Sequence, residues 1–206
     1  MLNRLLRASW TTLMTPIAKA FLALGVSPDA VTVVGALGVC AGALGFYPRG
    51  ELLVGTLVVT AFVFSDNVDG TMARLAGRQG PWGAFLDSTL DRVGDAAIFG
   101  GLVLYFAGPG ADLPAAGLAL ACLILGMVVS YAKARAEGLG MTCNVGIAER
   151  ADRLLAVLLA TGLVGLGLPR WVLTVVLALL AVASLVTVLQ RMGTVHRQAA
   201  HRVGPT

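Results

Sequence analysis

The sequence predicts an all-α integral membrane protein: six transmembrane helices preceded by an N-terminal amphipathic helix lying along the interface, with both termini cytoplasmic. Three observations carry this reading. Of the 206 residues 57% are hydrophobic and only 13% charged, about half the charge of a soluble domain. Six apolar runs occur, at about 30–47, 51–73, 83–107, 113–136, 151–168 and 170–190, each approaching the roughly 20 residues that cross a bilayer, with the first and fifth short. The cations lie almost entirely on one side of those runs. Residues 1–206 thus read as a single membrane domain, with an interfacial helix over 2–25, a bundle over 30–190 and a basic cytoplasmic tail over 191–206.

In the N-terminal segment Leu6, Trp10, Leu13, Ile17, Phe21 and Leu24 recur at intervals of three and four, forming one apolar helical face, while Arg4, Arg7 and Lys19 supply a polar side. Thr11, Thr12, Thr15, Pro16 and Lys19 interrupt any signal-peptide core. A helix kinked or restarted at Thr15-Pro16 is expected. The spans then follow with clear punctuation. Ser27-Pro28 opens the first and Tyr47-Pro48-Arg49-Gly50 closes it; Gly108-Pro109-Gly110 separates the third and fourth; Gly167, Leu168 and Pro169 end the fifth. Gly38 and Gly42, four apart in the first span, allow close helix packing, within the chain or between subunits.

Orientation comes from charge. Of fifteen Lys and Arg residues only Arg49 and Arg170 fall in loops of the opposite face, so both termini and the loops after spans two and four are expected in the cytoplasm. The net charge of +4 is scattered and lacks interleaved aromatics, which fits anionic lipids or substrates rather than nucleic acid. Cys40 and Cys122 sit in apolar runs, Cys143 stands alone in a loop, and His196 and His201 lie in the tail. None of these has metal-ligand or disulfide spacing.

Residues 66–91, DNVDGTMARLAGRQGPWGAFLDSTLD, break the apolar pattern. Asp66 and Asp69 are three apart near the cytoplasmic end of span two and share a face; Asp87 and Asp91, four apart at the start of span three, share another. The turn at 77–81 would bring the faces together. Four like charges beside lipid repel unless neutralised, and one ionised aspartate at mid-bilayer alone costs about 2.5–3.5 kcal/mol. Arg74, Arg78 and Arg92 are too few to pin all four. Two divalent cations would balance them, and an all-oxygen donor set selects Mg²⁺, or Mn²⁺ as a substitute, over zinc. Such a pair suits in-line phosphoryl transfer. Asp95 extends the Asp87–Asp91 face one turn deeper, as a support rather than a ligand. Gly70, Ala73 and Gly83 keep the surroundings small enough for a bulky ligand to touch the backbone, and Arg74 offers a fork of donors.

Together Asp66, Asp69, Gly70, Ala73, Arg74, Gly83, Asp87 and Asp91 fit D-x-x-D-G-x-x-A-R-x8-G-x-x-x-D-x-x-x-D without a gap. The stretch resembles the signature of the CDP-alcohol phosphotransferases, six-helix membrane enzymes that are usually homodimers. The resemblance implies two Mg²⁺ held by the four aspartates against the diphosphate of a CDP-linked donor, attack by an acceptor hydroxyl with loss of CMP, and Asp91 as base. It places CDP-diacylglycerol against Asp29, Thr32, Gly70, Ala73, Arg74 and Gly80. Asp29 also suits the first turn of a helix opened by Pro28, and Gly80-Pro81 leaves no hydroxyl beside the donor phosphates, so contact there is expected from the backbone.

Beyond the signature, TPIA at 15–18, SPDAVT at 27–32, SYAKARAE at 130–137 and ERADR at 149–153 resemble actinobacterial-type members that join inositol 1-phosphate to CDP-diacylglycerol. That resemblance assigns Lys133, Arg153 and Arg191 to the acceptor phosphate and implies a multi-pass enzyme of the cell membrane whose site faces the cytoplasm. Each of these cations would also serve as a snorkelling, topology-setting charge. Glycerol 3-phosphate, giving phosphatidylglycerol phosphate, fits a three-cation pocket equally well. A divalent-cation transporter would instead need carboxylates at mid-membrane or on both sides. Residues 138–147, GLGMTCNVGI, yield no reading, and Arg135 is open between substrate and pairing with Glu137 or Glu149.

Overall fold

The computed structural model describes residues 14–77 and 80–203, apart from the side chains of Asp66, Asn67 and residues 201–203. Residues 2–13 of the expected interfacial helix therefore lie outside it. The regular structure is helical: α1 (Met14–Ala23), α2 (Pro28–Phe46), a 3₁₀ turn (Tyr47–Arg49), α3 (Leu52–Leu75), α4 (Pro81–Ala107), α5 (Leu113–Gly138), α6 (Arg150–Gly165) and α7 (Trp171–Val203). By length and composition α2, α3, α5 and α7 can each cross a membrane. Their most apolar windows are only 28–38% buried inside the protein, and Leu37, Leu57, Leu155 and Leu179 are each more than 60% exposed. Apolar surface on that scale is covered by lipid in a membrane-embedded protein.

The helix ends follow local rules. Ser27 caps α2, its Oγ accepting from the Ala30 N–H at 3.2 Å, with Pro28 and Asp29 in the first turn. Asp112 Oδ1 accepts from the Ala115 N–H at 3.0 Å to cap α5. α6 starts on a capping box in which Asp152 Oδ2 accepts from the Glu149 N–H at 3.2 Å.

The chain divides into two compact units, residues 1–46 with 54–98, and residues 47–53 with 99–206. In the first, Ala18 of α1 packs with Val68 and Met72 of α3, flanked by Met14, Leu22, Val26 and Val31. Ile17, Phe21 and Leu24, on the face expected to meet the bilayer, are exposed. α1 thus carries two apolar faces, one on the protein and one turned outward. The glycines of α2 serve the α2–α3 contact inside the chain. A Cβ added at Gly38 would lie 2.3 Å from the Phe62 ring, and at Gly42 2.9 Å from Val58 Cγ1.

The second unit is built on α5, α6 and α7, with Cys122 Sγ of α5 donating to the Leu177 carbonyl of α7 at 3.2 Å. Arg170, one of the two cations expected on the far face, donates from Nη1 to the Gly110 carbonyl at 2.7 Å. Two features mark the last two helices. α6 has 16 residues, about 24 Å of helix, ending before Gly167 at φ +110°. α7 runs 33 residues to Val203, so the basic segment expected as a tail from 191 is helical as far as Val203. Gln198 anchors that segment: its Oε1 accepts from the Thr142 N–H at 3.0 Å and its Nε2 donates to the Thr142 carbonyl at 2.6 Å.

Candidate active site

A cavity of about 320 Å³ in the first unit is lined by Pro28, Asp29 and Thr32 of α2, Asp69, Gly70 and Ala73 of α3, and Gly80, Gly83, Ala84 and Asp87 at the start of α4. Five of the six residues expected at the donor site, Asp29, Thr32, Gly70, Ala73 and Gly80, meet here with two of the four expected metal ligands. Helix register explains the convergence. Asp29 and Thr32 are three apart on α2, Asp69 and Ala73 four apart on α3, and Gly83 and Asp87 four apart on α4. The wall is left low by design of sequence: a Cβ added at Gly70, Gly80 or Gly83 would find no atom within 4 Å.

Asp69 is 6% exposed and is held from α2: the Thr32 hydroxyl points at its Oδ2, with the Pro28 carbonyl 3.1 Å away as alternative acceptor. Thr32 is thereby a buttress for a carboxylate, a role beyond the donor contact expected of it. Trp82, which sequence reasoning missed, donates from Nε1 to Asp29 Oδ2 at 3.0 Å and stacks on Phe85 with ring centroids 6.0 Å apart. Its signal was an aromatic set between Gly80-Pro81 and Gly83, at the turn that opens α4.

Arg74 is not among the lining residues. Its Nε donates to the Gly70 carbonyl and its Nη2 to Thr71 Oγ1, both at 3.1 Å, so the guanidinium lies back along its own helix. Asp91 is one turn beyond Asp87. Arg92 Nη2 stands 3.7 Å from Asp91 Oδ2 and 3.4 Å from Asp95 Oδ2, joining the expected base to the buried Asp95 behind it.

The donor set suits hard divalent cations. Asp69 and Asp87 face one cavity, Asp91 continues the Asp87 face, and every candidate ligand is a carboxylate oxygen. Among the described residues no three Asp, Glu, His or Cys side chains converge to metal-binding distance; Asp66, which would complete the set, has its side chain outside the described part.

In the second unit Arg153 and Arg191 are 2% and 4% exposed. Arg153 Nη1 donates to the Ala148 carbonyl at 3.2 Å and lies against Gly126 of α5, where an added Cβ would be 3.4 Å from Nη2. Arg191 Nε donates to the Val145 carbonyl at 2.9 Å and Nη1 to the Val129 carbonyl at 2.6 Å. Among the described residues no carboxylate pairs with Arg191. A buried guanidinium satisfied by neutral carbonyls retains its positive field and attracts an anion. Lys133, the third expected cation, is 42% exposed and 3.9 Å from Glu137, one turn beyond Val129 on α5. Glu137 pairs with Lys133 and Glu149 starts α6.

The model of the CDP-alcohol phosphatidyltransferase family matches residues 25–146, which include every residue lining the cavity and all four motif aspartates. The chain belongs to the CDP-alcohol phosphatidyltransferase family. It is 52% identical to the phosphatidylinositol phosphate synthase of Streptomyces avermitilis over 97% of this chain and 84% of that one. Two crystal structures of the Mycobacterium tuberculosis phosphatidylinositol phosphate synthase, each 42% identical, match the fold. One has CDP-DAG bound and superposes with a TM-score of 0.86, covering 89% of this chain and 94% of that one. The other, in complex with manganese and citrate, gives 0.85 and covers 88% of each. The protein is thus a membrane-embedded phosphotransferase of the phosphatidylinositol phosphate synthase type.

Proposed function

We propose that the protein transfers the phosphatidyl group of CDP-diacylglycerol to inositol 1-phosphate, forming phosphatidylinositol phosphate and releasing CMP. The observation that carries the acceptor is the buried Arg153 and Arg191, of which Arg191 meets the neutral carbonyls of Val145 and Val129 and keeps positive charge for a phosphate dianion. An acceptor without phosphate would leave that charge unanswered. Lys133, half-exposed beyond Val129, reaches the same anion from the wetter side. The donor lies against Asp29, Thr32, Gly70, Ala73 and Gly80, which line one cavity, while Arg74 turns from the Gly70 carbonyl toward the diphosphate on binding.

Asp66, Asp69, Asp87 and Asp91 hold two divalent ions, Mg²⁺ with Mn²⁺ as substitute, which supply charge neutralisation of the diphosphate and polarisation of the transferred phosphorus. Thr32 fixes Asp69 for that purpose. The bond from the acceptor hydroxyl oxygen to the donor's diacylglycerol phosphorus forms, the bond from that phosphorus to the CMP oxygen breaks, and the hydroxyl proton passes to Asp91. Arg92, between Asp91 and Asp95, orients the carboxylate for that transfer.

The surrounding architecture we propose is a single domain with six spans, both termini and the site on the cytoplasmic side of the cell membrane, working as a homodimer. Its support is the family relationship and the near absence of Lys and Arg from the opposite loops. Purified protein given CDP-diacylglycerol and Mg²⁺ should release CMP with inositol 1-phosphate and not with free inositol. Equal turnover with both would remove the phosphate site from the mechanism.

A further inference from the structure

The segment between α5 and α6 had no reading from sequence, yet its backbone holds both buried arginines. Within four consecutive residues, the Val145 carbonyl accepts from Arg191 Nε at 2.9 Å and the Ala148 carbonyl from Arg153 Nη1 at 3.2 Å. The two N–H groups between them, of Ile147 and Ala148, both donate to one atom, Thr187 Oγ1 of α7, at 3.2 and 3.1 Å. That hydroxyl donates in turn to the Ala183 carbonyl at 2.8 Å. One hydrogen and two lone pairs are the whole capacity of a hydroxyl, so Thr187, fully buried, is used completely. Thr187 lies one turn before Arg191 on the same face of α7.

Gly146 makes the close approach feasible. Its φ of +146° belongs to glycine, and a Cβ added there would stand 2.4 Å from Thr187 Cγ2. The arrangement is a clasp: the glycine lets the strap lie on α7, the hydroxyl fastens it, and the carbonyls on either side fix the two guanidinium groups.

We infer that Thr187, with Gly146, is a positioning residue for the acceptor phosphate, setting the spacing of Arg153 and Arg191 through the backbone of residues 145–148. This rests on the reading of those arginines as the acceptor site. The clasp itself touches no substrate, so its loss changes acceptor affinity and leaves the donor site as it was.

The test is Thr187→Val, which keeps Cγ2 and removes the hydroxyl, beside Thr187→Ser, which keeps the hydroxyl and removes Cγ2. CMP release would be measured against inositol 1-phosphate at saturating CDP-diacylglycerol, and against CDP-diacylglycerol at saturating acceptor. Thr187→Val should raise the acceptor KM about tenfold or more with the donor KM within about twofold, and Thr187→Ser should stay within about twofold on both. Should Thr187→Val not fold, Gly146→Ala decides: it should raise the acceptor KM, and adding Thr187→Ser should reverse part of that rise by removing Cγ2. Equal changes in both KM values, an unchanged acceptor KM in Thr187→Val, or no relief in the double variant would overturn the inference. Arg191→Met separates the two levels. An acceptor KM untouched by Arg191→Met sinks the acceptor reading, whereas one raised by Arg191→Met but not by the clasp variants sinks the clasp alone.

Discussion

Replacing Arg191 by Lys keeps the charge and removes the geometry, and so weighs one against the other. The guanidinium gives Nε to the Val145 carbonyl and Nη1 to the Val129 carbonyl, which leaves Nη2 directed by two fixed bonds. A lysine ammonium is a single nitrogen on a flexible stem and cannot meet both carbonyls and an anion together. At least one charged hydrogen bond is then missing from the acceptor complex, worth about 1.5–3 kcal/mol, or roughly a 10- to 150-fold fall in kcat/KM for inositol 1-phosphate. The assay is CMP release at varied acceptor and saturating CDP-diacylglycerol, with the donor KM as internal control and Tm in detergent to verify folding. Arg191→Met should be impaired at least as much, because it also removes the charge. A Lys variant whose acceptor kcat/KM stays within about twofold of the parent would show that oriented hydrogen bonding at Arg191 does not matter.

Other consequences follow from the first unit. Gly38→Ala drives a methyl into the Phe62 ring and should cost about 1–3 kcal/mol of stability, read as a lower Tm in detergent; an unchanged Tm would mean that α2 and α3 do not pack there. Asp69→Asn should reduce CMP release by about a thousandfold or more, and chelation should abolish the parent's activity until Mg²⁺ or Mn²⁺ is restored. Activity that survives chelation would remove divalent ions from the mechanism. Trp82→Phe deletes the N–H that holds Asp29 and should weaken CDP-diacylglycerol binding about three- to tenfold, seen as a raised donor KM with the acceptor KM unchanged.

Much of the architecture was visible in the residues because membrane spans announce themselves by continuous apolarity, and their ends by Pro, Gly and caps. α2, α3, α4 and α5 begin and end within a few residues of the expected runs. The end of α7 was less legible: charge after Gln190 suggested a tail, yet with no proline to stop it the helix runs through Gly193 to Val203, and Gln198 ties it to Thr142. The donor cavity was legible because its residues sit at fixed helical intervals within about sixty residues of chain. The orientation of Arg74 was not, since the Gly70 carbonyl four residues back competes for it. Residues 138–147 were opaque for a different reason. Their partners, Thr187 and Arg191, lie about forty residues away on another helix, and no local pattern reports such a pairing.

The most direct measurement remains CMP release by the purified protein in Mg²⁺ with CDP-diacylglycerol and one acceptor at a time: inositol 1-phosphate, glycerol 3-phosphate, inositol and serine, with Asp91→Asn as control. Release with inositol 1-phosphate alone, lost in Asp91→Asn, is the expected result. Release with glycerol 3-phosphate in its place would contradict the acceptor assignment, and none with any acceptor, from folded protein, would contradict the transferase itself.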